Sequence, residues 1–316
     1  MKILITRPIH EDGLTLLRSK GVDFVCSFSI SREELLDSVS SYDAIIIRSD
    51  VKVDRELLMR AKNLKVVGVA GIGVNQVDLP LARSLGIEVM NVPDGSVESV
   101  AQLAIGFFIA AARKIVVACV DTKQKNWNKA AYTGHTLDGK TLGIVALGRI
   151  GTRVAEIANA LKMRVIAYDP YLDESDIRAR GAQKVELEEL LRESDFVSIH
   201  SPLNNETYRL IGAKELALMK EDSFLFNLAR GGIVDEDALY EVLASGRLKA
   251  AGLDVMEVEP DKQSRLFELD NVFITPHIGA GTVESQQYIA RSIVTKVTDY
   301  LDQVEEKRAS LEAVAY

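Results

Sequence analysis

One stretch of sequence decides the fold, residues 141–151: Thr141-Leu142-Gly143-Ile144-Val145-Ala146-Leu147-Gly148-Arg149-Ile150-Gly151. Its apolar first half predicts a buried strand, and its glycines predict a tight turn that opens a helix ending near Leu161. A second strand over 163–169 ends in the carboxylate of Asp169. Strand, glycine turn, helix, strand and acid form a dinucleotide-binding unit, because the turn admits a pyrophosphate to the backbone and the helix N-terminus attracts its charge.

The glycine pattern departs from Gly-x-Gly-x-x-Gly at its first position, which is Ala146. Alanine is tolerated there if its φ angle stays negative. Gly148 keeps the position of closest approach to a pyrophosphate, and Gly151 the position where the helix packs on the strand. Asp169 lies 18 residues after Gly151, where a carboxylate accepts the ribose hydroxyls of NAD and repels the 2′-phosphate of NADP. We therefore expect NAD as the cofactor.

Length and composition limit the classes of protein to which the chain can belong. The chain has 316 residues, which favours two domains. Its net charge is −8 and it has no basic block, which argues against nucleic-acid or anionic-membrane binding. Neither a membrane span nor a signal peptide is apparent. Cys26 and Cys119 form no disulfide framework and no metal-ligand spacing, so we expect a cytoplasmic protein without a metal.

Strands and helices alternate over residues 2–90 and again over 142–275, which predicts two doubly wound parallel sheets of the α/β class. We expect a Rossmann-type cofactor domain at 95–283, inserted into a flavodoxin-like substrate-binding domain made of 1–94 and 284–316. One long apolar helix over 97–122 is expected between domains or at the interface of a homodimer or tetramer. The last long helix is expected to end near Val304, followed by an exposed tail or a strand returning to the first sheet.

Candidate catalytic residues follow the strands, because parallel strands present functional side chains at their carboxyl ends. Reducing a carbonyl by hydride transfer creates an alkoxide that needs a proton, which suits a histidine, and His277 follows the last predicted strand. Glu259, before Pro260, could hold that histidine in its charged form. Arg230 could grip a substrate carboxylate through a planar two-point contact.

With these candidate residues, the chain resembles the NAD-dependent D-2-hydroxyacid dehydrogenases over nearly its whole length. Within that family it is most similar to the short D-3-phosphoglycerate dehydrogenases that lack a regulatory domain. The resemblance rests on eight segments: Arg48-Ser49 with Lys52-Val53, Ala70-Gly71-Ile72-Gly73-Val74, Leu147-Gly148-Arg149-Ile150-Gly151, Tyr168-Asp169-Pro170-Tyr171, Ser194 to His200, Ala229 to Glu236, Gly252-Leu253-Asp254-Val255, and Thr275-Pro276-His277-Ile278-Gly279-Ala280.

The resemblance assigns the family's arginine, glutamate and acid/base histidine to Arg230, Glu259 and His277. It also implies contacts to the cofactor and to the substrate. The cofactor contacts are Ile72, Gly148, Arg149, Ile150, Gly151, Asp169, Ser201, Leu228, Asp254, His277, Gly279 and Ala280. The substrate contacts are Arg48, Ser49, Gly71, Ile72, Gly73 and Arg230.

The implied reaction is oxidation of D-3-phosphoglycerate to 3-phosphohydroxypyruvate in serine biosynthesis. Val69 stands where phosphoglycerate enzymes often carry an arginine, although Arg48 and Arg7 remain as cations for a phosphate. A glyoxylate or hydroxypyruvate reductase is the alternative reaction. An NAD-sensing protein similar to the transcriptional corepressors of this fold is the alternative from another class.

Overall fold

The computed structural model describes residues 1–261 and 263–314, apart from the side chains of residues 308 and 311–314. The chain forms two compact units. Unit 1 comprises Met1–Ser96 together with the chain from Ala280 onward, and unit 2 is the continuous segment Val97–Gly279. Unit 2 therefore interrupts unit 1 in the sequence.

The strands are β1 (Lys2–Ile5), β2 (Asp23–Cys26), β3 (Ala44–Ile47), β4 (Val66–Val69), β5 (Glu88–Met90), β6 (Thr141–Val145), β7 (Arg164–Tyr168), β8 (Gln183–Lys184), β9 (Phe196–Ile199), β10 (Phe224–Asn227), β11 (Ala250–Leu253) and β12 (Val272–Ile274). The helices are α1 (Glu11–Ser19), α2 (Arg32–Ser38), α3 (Arg55–Arg60), α4 (Leu79–Ser84), α5 (Val97–Ala112), α6 (Ile115–Lys123), α7 (Arg149–Ala160), α8 (Glu174–Ala179), α9 (Leu187–Glu193), α10 (Ala213–Leu218), α11 (Glu236–Ala244) and α12 (Val283–Val314). Short 3-10 helices lie at Val39–Ser41, Lys129–Tyr132 and Arg265–Glu268.

Unit 1 contains a parallel sheet in the order β2-β1-β3-β4-β5, the flavodoxin-like order. Ser31 and Glu34 form a complete capping box on α2, and Asp54 caps α3, so both helices begin at residues typical of helix N-termini. One face of the sheet is covered by α1 and by the long α12, whose Ile293 and Val297 are fully buried. A Cβ on Gly68 of β4 would lie 2.7 Å from Val297 Cγ2, so glycine there lets α12 approach the strand.

Unit 2 contains a parallel sheet in the order β12-β11-β10-β9-β6-β7-β8. The six strands β6 to β11 lie in the order β8-β7-β6-β9-β10-β11, which is the Rossmann order, and β12 extends one edge. The strand order reverses between β6 and β9, and a crevice for ligands opens beyond the carboxyl ends of strands at such a point. The predicted class of two doubly wound parallel sheets is confirmed.

The expected single helix over 97–122 is wrong, because two helices, α5 and α6, meet at an angle of 63°. Lys114 adopts a left-handed conformation between them, with φ 52°. The His135 N–H donates to the Ala112 carbonyl at 2.8 Å, so a later segment caps the end of α5. Most of α5 is buried in unit 2, with Phe108 packed 4.7 Å from Phe226, whereas α6 has no buried residue.

The expected end of the chain is also corrected. Helix α12 continues to Val314 instead of ending near Val304, so neither a tail nor a returning strand follows within the described residues. Residues 305–314 contain no glycine or proline and are rich in strong helix formers, which explains the continuation.

No single helix in the described ranges is long and apolar enough to cross a membrane. Among the described residues, only the bent pair α5 and α6, counted as one segment, is long and apolar enough for that.

Candidate active site

The segment after β12 carries His277, and its imidazole pairs with the carboxylate of Glu259. His277 Nδ1 lies 2.8 Å from Glu259 Oε2, while Glu259 Oε1 accepts the Met256 N–H at 3.0 Å. Burial raises the pKa of Glu259, but the hydrogen bonds from His277 and Met256 and the charges of His277 and Arg230 outweigh it and leave that pKa below its ordinary value. The carboxylate is therefore ionised at neutral pH, and a histidine held by its Nδ1 presents Nε2 to a reacting group.

Asp254, at the end of β11, holds the segment on both sides of His277. Its Oδ1 accepts the Thr275 hydroxyl at 2.5 Å and the Ile278 N–H at 2.8 Å, and its Oδ2 accepts the Gly279 N–H at 2.8 Å. His277 itself has a positive φ of 53°, a region that non-glycine residues rarely occupy. A conformation of this kind persists where its surroundings over-determine it, and the three contacts of the buried Asp254 supply that constraint.

Arg230 follows β10 and is mostly buried. Asn227 fixes the turn, since its amide donates to the Arg230 carbonyl at 2.9 Å and its side-chain oxygen accepts the Ala229 N–H at 3.1 Å. Burial lowers the pKa of Arg230, and the charge of Glu259 acts in the opposite direction. A Cβ on Gly231 would lie 1.9 Å from the Met256 carbonyl oxygen, so glycine lets the arginine turn pack against the segment leading to Glu259. Arg230, Glu259 and His277 thus belong to one group of side chains.

The glycine turn after β6 is held by Asp169. The Asp169 carboxylate is 8% exposed and accepts the N–H groups of Leu147 and Tyr171, each at 3.0 Å. The expectation of a negative φ at Ala146 is wrong, because its φ is 69°. The strand exit demands the left-handed conformation that glycine adopts freely, so alanine occupies this turn with strain, at a cost of about 1–2 kcal/mol.

Gly148 and Gly151 have the surroundings that a dinucleotide turn requires. A Cβ on Gly148 would meet no atom of the described residues within 4 Å, whereas one on Gly151 would lie 2.5 Å from the Ala146 carbonyl oxygen. Gly148 caps α7, and Arg149 and Ile150 form the first turn of that helix. Open space at a helix N-terminus fits a bound pyrophosphate.

Two polar atoms after β9 have no hydrogen-bond partner among the described residues, His200 Nδ1 and Ser201 Oγ, and both are buried. The other ring nitrogen of His200 lies 2.9 Å from Ser198 Oγ, and burial lowers the pKa of His200 to about 4. Leu228, at the end of β10, is 5% exposed. These atoms of His200 and Ser201 lie at the carboxyl end of a strand in the sheet of unit 2. Buried polar atoms without a partner at such a place fit a bound polar ligand.

The residues predicted to contact substrate in unit 1 follow β3 and β4. Arg48 is mostly buried, which lowers its pKa, and its guanidinium donates to Gln286 Oε1 at 3.0 Å and to the Pro8 carbonyl at 3.2 Å. Ser49 is exposed. The Gly71 N–H donates to the Val69 carbonyl at 2.8 Å, whereas in the described part of the chain the N–H groups of Ile72 and Gly73 have no partner.

Gly279 and Ala280 end the histidine segment. The Gly279 carbonyl accepts the Ser99 hydroxyl at 2.7 Å, and the Ala280 carbonyl accepts the Gln286 amide at 2.6 Å. Within residues 1–261 and 263–314, no group of three histidine, cysteine or acidic side chains is arranged to hold a metal ion.

Comparisons with known proteins identify the family. Residues 105–279 match the model of the D-isomer specific 2-hydroxyacid dehydrogenase NAD-binding domain. The chain is 41% identical over 302 residues to a D-3-phosphoglycerate dehydrogenase of Methanocaldococcus jannaschii, covering 95% of this chain and 57% of the relative. It is also 41% identical to a hydroxypyruvate reductase of Thermotoga maritima, over 94% of this chain and 97% of the relative. The chain belongs to the D-isomer specific 2-hydroxyacid dehydrogenase family.

The solved structures agree with this membership. A D-lactate dehydrogenase from Aquifex aeolicus, complexed with NAD and lactic acid, superposes with a TM-score of 0.86 at 28% identity, covering 97% of each chain. The chain spans little more than half the length of the M. jannaschii member, at 57%.

The structure shows supporting residues of this dehydrogenase family member that the sequence did not reveal. Asn227 and Thr275 fix the turns that carry Arg230 and His277, and Glu236 accepts the Glu257 N–H at 2.6 Å beside the segment leading to Glu259. Asn227 and Thr275 each lie within three residues of a predicted site residue, which is the one signal that could have found them, whereas Glu236 lies six residues after Arg230.

Proposed function

We propose that the chain is an NAD-dependent oxidoreductase that acts on the CH–OH group of a D-2-hydroxy acid. The contact between His277 and Glu259, at 2.8 Å, is the observation that carries the proposal. A histidine paired with an ionised carboxylate can gain and lose a proton at its second nitrogen, as general acid–base catalysis requires. Family membership supports the same reaction type.

His277 moves the proton in this proposal. During oxidation its Nε2 takes the proton of the substrate hydroxyl, and during reduction it returns a proton to the carbonyl oxygen. Glu259 accepts the Nδ1–H, which fixes the tautomer and stabilises the imidazolium. NAD bound at the glycine turn would supply the hydride acceptor.

Arg230 binds the carboxylate and the reacting oxygen of the substrate. Although burial lowers its pKa, a guanidinium stays charged at neutral pH, and its planar donors suit a carboxylate. The N–H groups of Ile72 and Gly73 would bind the substrate carboxylate as further donors. The Gly71 N–H, which donates within its own turn, would contribute less.

The cofactor would be held by the backbone of the glycine turn and by the strand ends around it. Gly148 and the first turn of α7 would bind the pyrophosphate, and Asp169 would bind the ribose through the lone pairs that its two backbone contacts leave open. The buried charge of Asp169 supports NAD over NADP. The remaining contacts are assigned to Ile72, Ser201, Leu228, Asp254, His277, Gly279 and Ala280.

The first choice of substrate is D-3-phosphoglycerate, oxidised to 3-phosphohydroxypyruvate. Arg48, with Ser49 beside it, would bind the phosphate. Its partners Gln286 and Pro8 are neutral, and within the described ranges no carboxylate forms a direct ion pair with its guanidinium. Arg7 is less available, because its Nε donates to Asp50 at 2.5 Å.

Hydroxypyruvate or glyoxylate reduction is the second candidate, and two observations favour it. Val69 is 1% exposed in the core of unit 1, so the position of the missing arginine offers no charge to a phosphate. The T. maritima hydroxypyruvate reductase is also matched over 97% of its length.

One assay separates these reactions. The rate of NADH oxidation would be measured with 3-phosphohydroxypyruvate, hydroxypyruvate and glyoxylate in turn, and repeated with NADPH. Preference for the phosphorylated acid supports the first choice, and preference for hydroxypyruvate or glyoxylate supports the second. Turnover of none of them would refute the proposed reaction, and faster turnover with NADPH would refute the proposed role of Asp169.

The proposed enzyme is a homodimer or a tetramer in the cytoplasm. Helix α6 supports the assembly, because Ile115, Val116 and Val120 are 43%, 45% and 53% exposed on one short helix. The free thiols of Cys26 and Cys119 support the compartment.

A further inference from the structure

The backbone of Leu147, inside the glycine turn, is held from both sides by side chains. Asp169 Oδ2 accepts its N–H at 3.0 Å. Arg180 Nη1 donates to its carbonyl at 2.7 Å, and Thr152 Oγ1 donates to the same carbonyl at 3.3 Å. The contact to Arg180 reaches across 33 positions of sequence and is the shorter of the two bonds to this oxygen.

The direction of the Leu147 carbonyl fixes the direction of the Gly148 N–H. The two groups belong to one planar trans peptide and point in opposite directions. The Gly148 N–H has no hydrogen-bond partner in the part of the chain that the structure describes, and the space at its Cα is open. A charged donor on the carbonyl therefore aims a free N–H at the place where a pyrophosphate would bind.

The same peptide follows the strained residue of the turn. Ala146 has φ 69°, and alanine leaves this conformation more readily than glycine does. A rotation at Ala146 would turn the Leu147 carbonyl away from Arg180. The bond from Arg180 therefore opposes the relaxation that alanine introduces.

Arg180 is itself fixed in place. It caps the end of α8, and the next residue, Gly181, accepts the Asn159 amide of α7 through its carbonyl at 2.7 Å. Among the described residues, Arg180 forms no ion pair that would draw its guanidinium elsewhere.

We propose that Arg180 is a positioning residue for the cofactor: by holding the Leu147 carbonyl it aims the Gly148 N–H at the pyrophosphate and keeps the Ala146 turn in its binding conformation. The inference rests on the proposed use of NAD and adds a residue from outside the glycine pattern to the binding machinery. A hydrogen bond from a charged donor is among the stronger ones in proteins, so its loss should be measurable.

The test is the dissociation constant of NADH, titrated by fluorescence in the absence of any oxo acid. Arg180→Ala should raise it about tenfold. Arg180→Lys keeps a cation and a donor but lacks the planar fork, and should raise it about threefold. The control is Arg178→Ala on the same helix. Among the described residues the exposed Arg178 pairs only with Glu174, so this variant should leave the dissociation constant unchanged.

Repeating the Arg180→Ala change in an Ala146→Gly background separates a positioning role of Arg180 from a general loss of stability. In Ala146→Gly the turn adopts its conformation without strain, so adding Arg180→Ala there should raise the dissociation constant by less than about threefold. In Arg180→Lys the loss should appear in the KM for NADH and much less in kcat, because the residue acts on cofactor binding.

The outcomes are distinguishable. Wild-type binding of NADH with equal binding by both Arg180 variants would overturn the role of Arg180 while leaving the proposed function intact. If Arg180→Ala caused an equal loss of binding in the wild-type and Ala146→Gly backgrounds, the link to the strained turn would be overturned. A wild-type chain that does not bind NADH would overturn the proposed function and this inference together.

Discussion

His277 is held at φ 53° between the Thr275 hydroxyl and the N–H groups of Ile278 and Gly279, all of which donate to Asp254. The direction of its ring therefore depends on its neighbours. Replacing His277 with Gln should lower kcat by about 10²–10⁴ and leave NADH binding within a few-fold, because the proton donor is lost while the glycine turn is untouched. Steady-state kinetics and NADH titration would measure the two effects. Full activity in this variant would exclude His277 as the acid–base group.

Glu259→Gln serves as the companion change, since it keeps an acceptor for the Met256 N–H but removes the charge beside His277. We expect a smaller loss in kcat than for His277→Gln and little further loss in the double variant, because the two residues act as a unit.

His200 predicts a pH dependence of stability. Its pKa is about 4 in the folded chain against 6.5 for an ordinary histidine, so below pH 6.5 the unfolded chain takes up a proton that the folded chain does not. The contribution of His200 to the free energy of unfolding is nearly constant above pH 6.5. It becomes increasingly destabilising as the pH falls toward 4. Wild type should therefore lose about 2 kcal/mol relative to His200→Gln between pH 7 and 4.5.

Urea unfolding at the two pH values would measure this difference. His135→Gln, at an exposed histidine, is the control and should show no such pH-dependent difference from wild type. If the free energies of unfolding of wild type and His200→Gln differed by the same amount at both pH values, His200 would be protonated alike in the folded and unfolded chains.

At the scale of single residues, the sequence predicted Arg230, Glu259 and His277 as catalytic side chains because they follow strand ends, and the structure places Glu259 beside His277. It did not give the φ of Ala146, since that angle is set by the path from β6 to α7. It also did not reveal Arg180, whose partner lies 33 positions away and is a backbone oxygen without a side-chain signature.

The elements around the active site depend on one close approach of two backbones. In Gly231→Ala the new Cβ would lie 1.9 Å from the Met256 carbonyl, so the segment between β11 and Glu259 must move. We expect a loss of about 1–3 kcal/mol in the free energy of unfolding and at least about a tenfold loss in kcat/KM. Thermal unfolding and steady-state kinetics would report both.

Gly212→Ala is the matched control. Its Cβ would lie 3.5 Å from Glu215 Oε2, an ordinary contact, and its φ of −101° suits alanine. Activity should be retained in this variant. If both variants behaved alike, the close packing of the arginine turn would not matter for function.

Among the secondary-structure elements, the alternation predicted over residues 2–90 and 142–275 covers, within one position, all twelve strands that the described residues form. The break between α5 and α6 was missed because no proline or glycine marks it, and its cause is the distant segment at His135. The six residues of helix α8 are mostly polar and carry little helical periodicity, so the sequence gives no clear signal for this helix.

At the scale of the whole molecule, the exposed apolar side chains of α6 predict self-association. Val120→Glu should convert the assembly to a smaller species, because a carboxylate at the centre of an apolar interface would be desolvated without a partner. Light scattering coupled to gel filtration would measure the mass.

Met59→Glu is the control, as Met59 on α3 is 54% exposed, close to the 53% of Val120. It should leave the mass unchanged. A wild-type chain of monomeric mass would refute the proposed assembly.

The burial of α12 in unit 1 has a consequence for biosynthesis. The sheet of unit 1 is complete in sequence by Met90, yet the apolar face formed by residues such as Ile3 and Ile46 is covered by side chains between Ile289 and Leu301. A ribosome must therefore translate the whole of unit 2 before the first unit can close its core, whereas unit 2 is contiguous and can fold as it emerges. During that interval the nascent sheet exposes apolar surface, so we expect the growing chain to depend on chaperone protection until α12 is released.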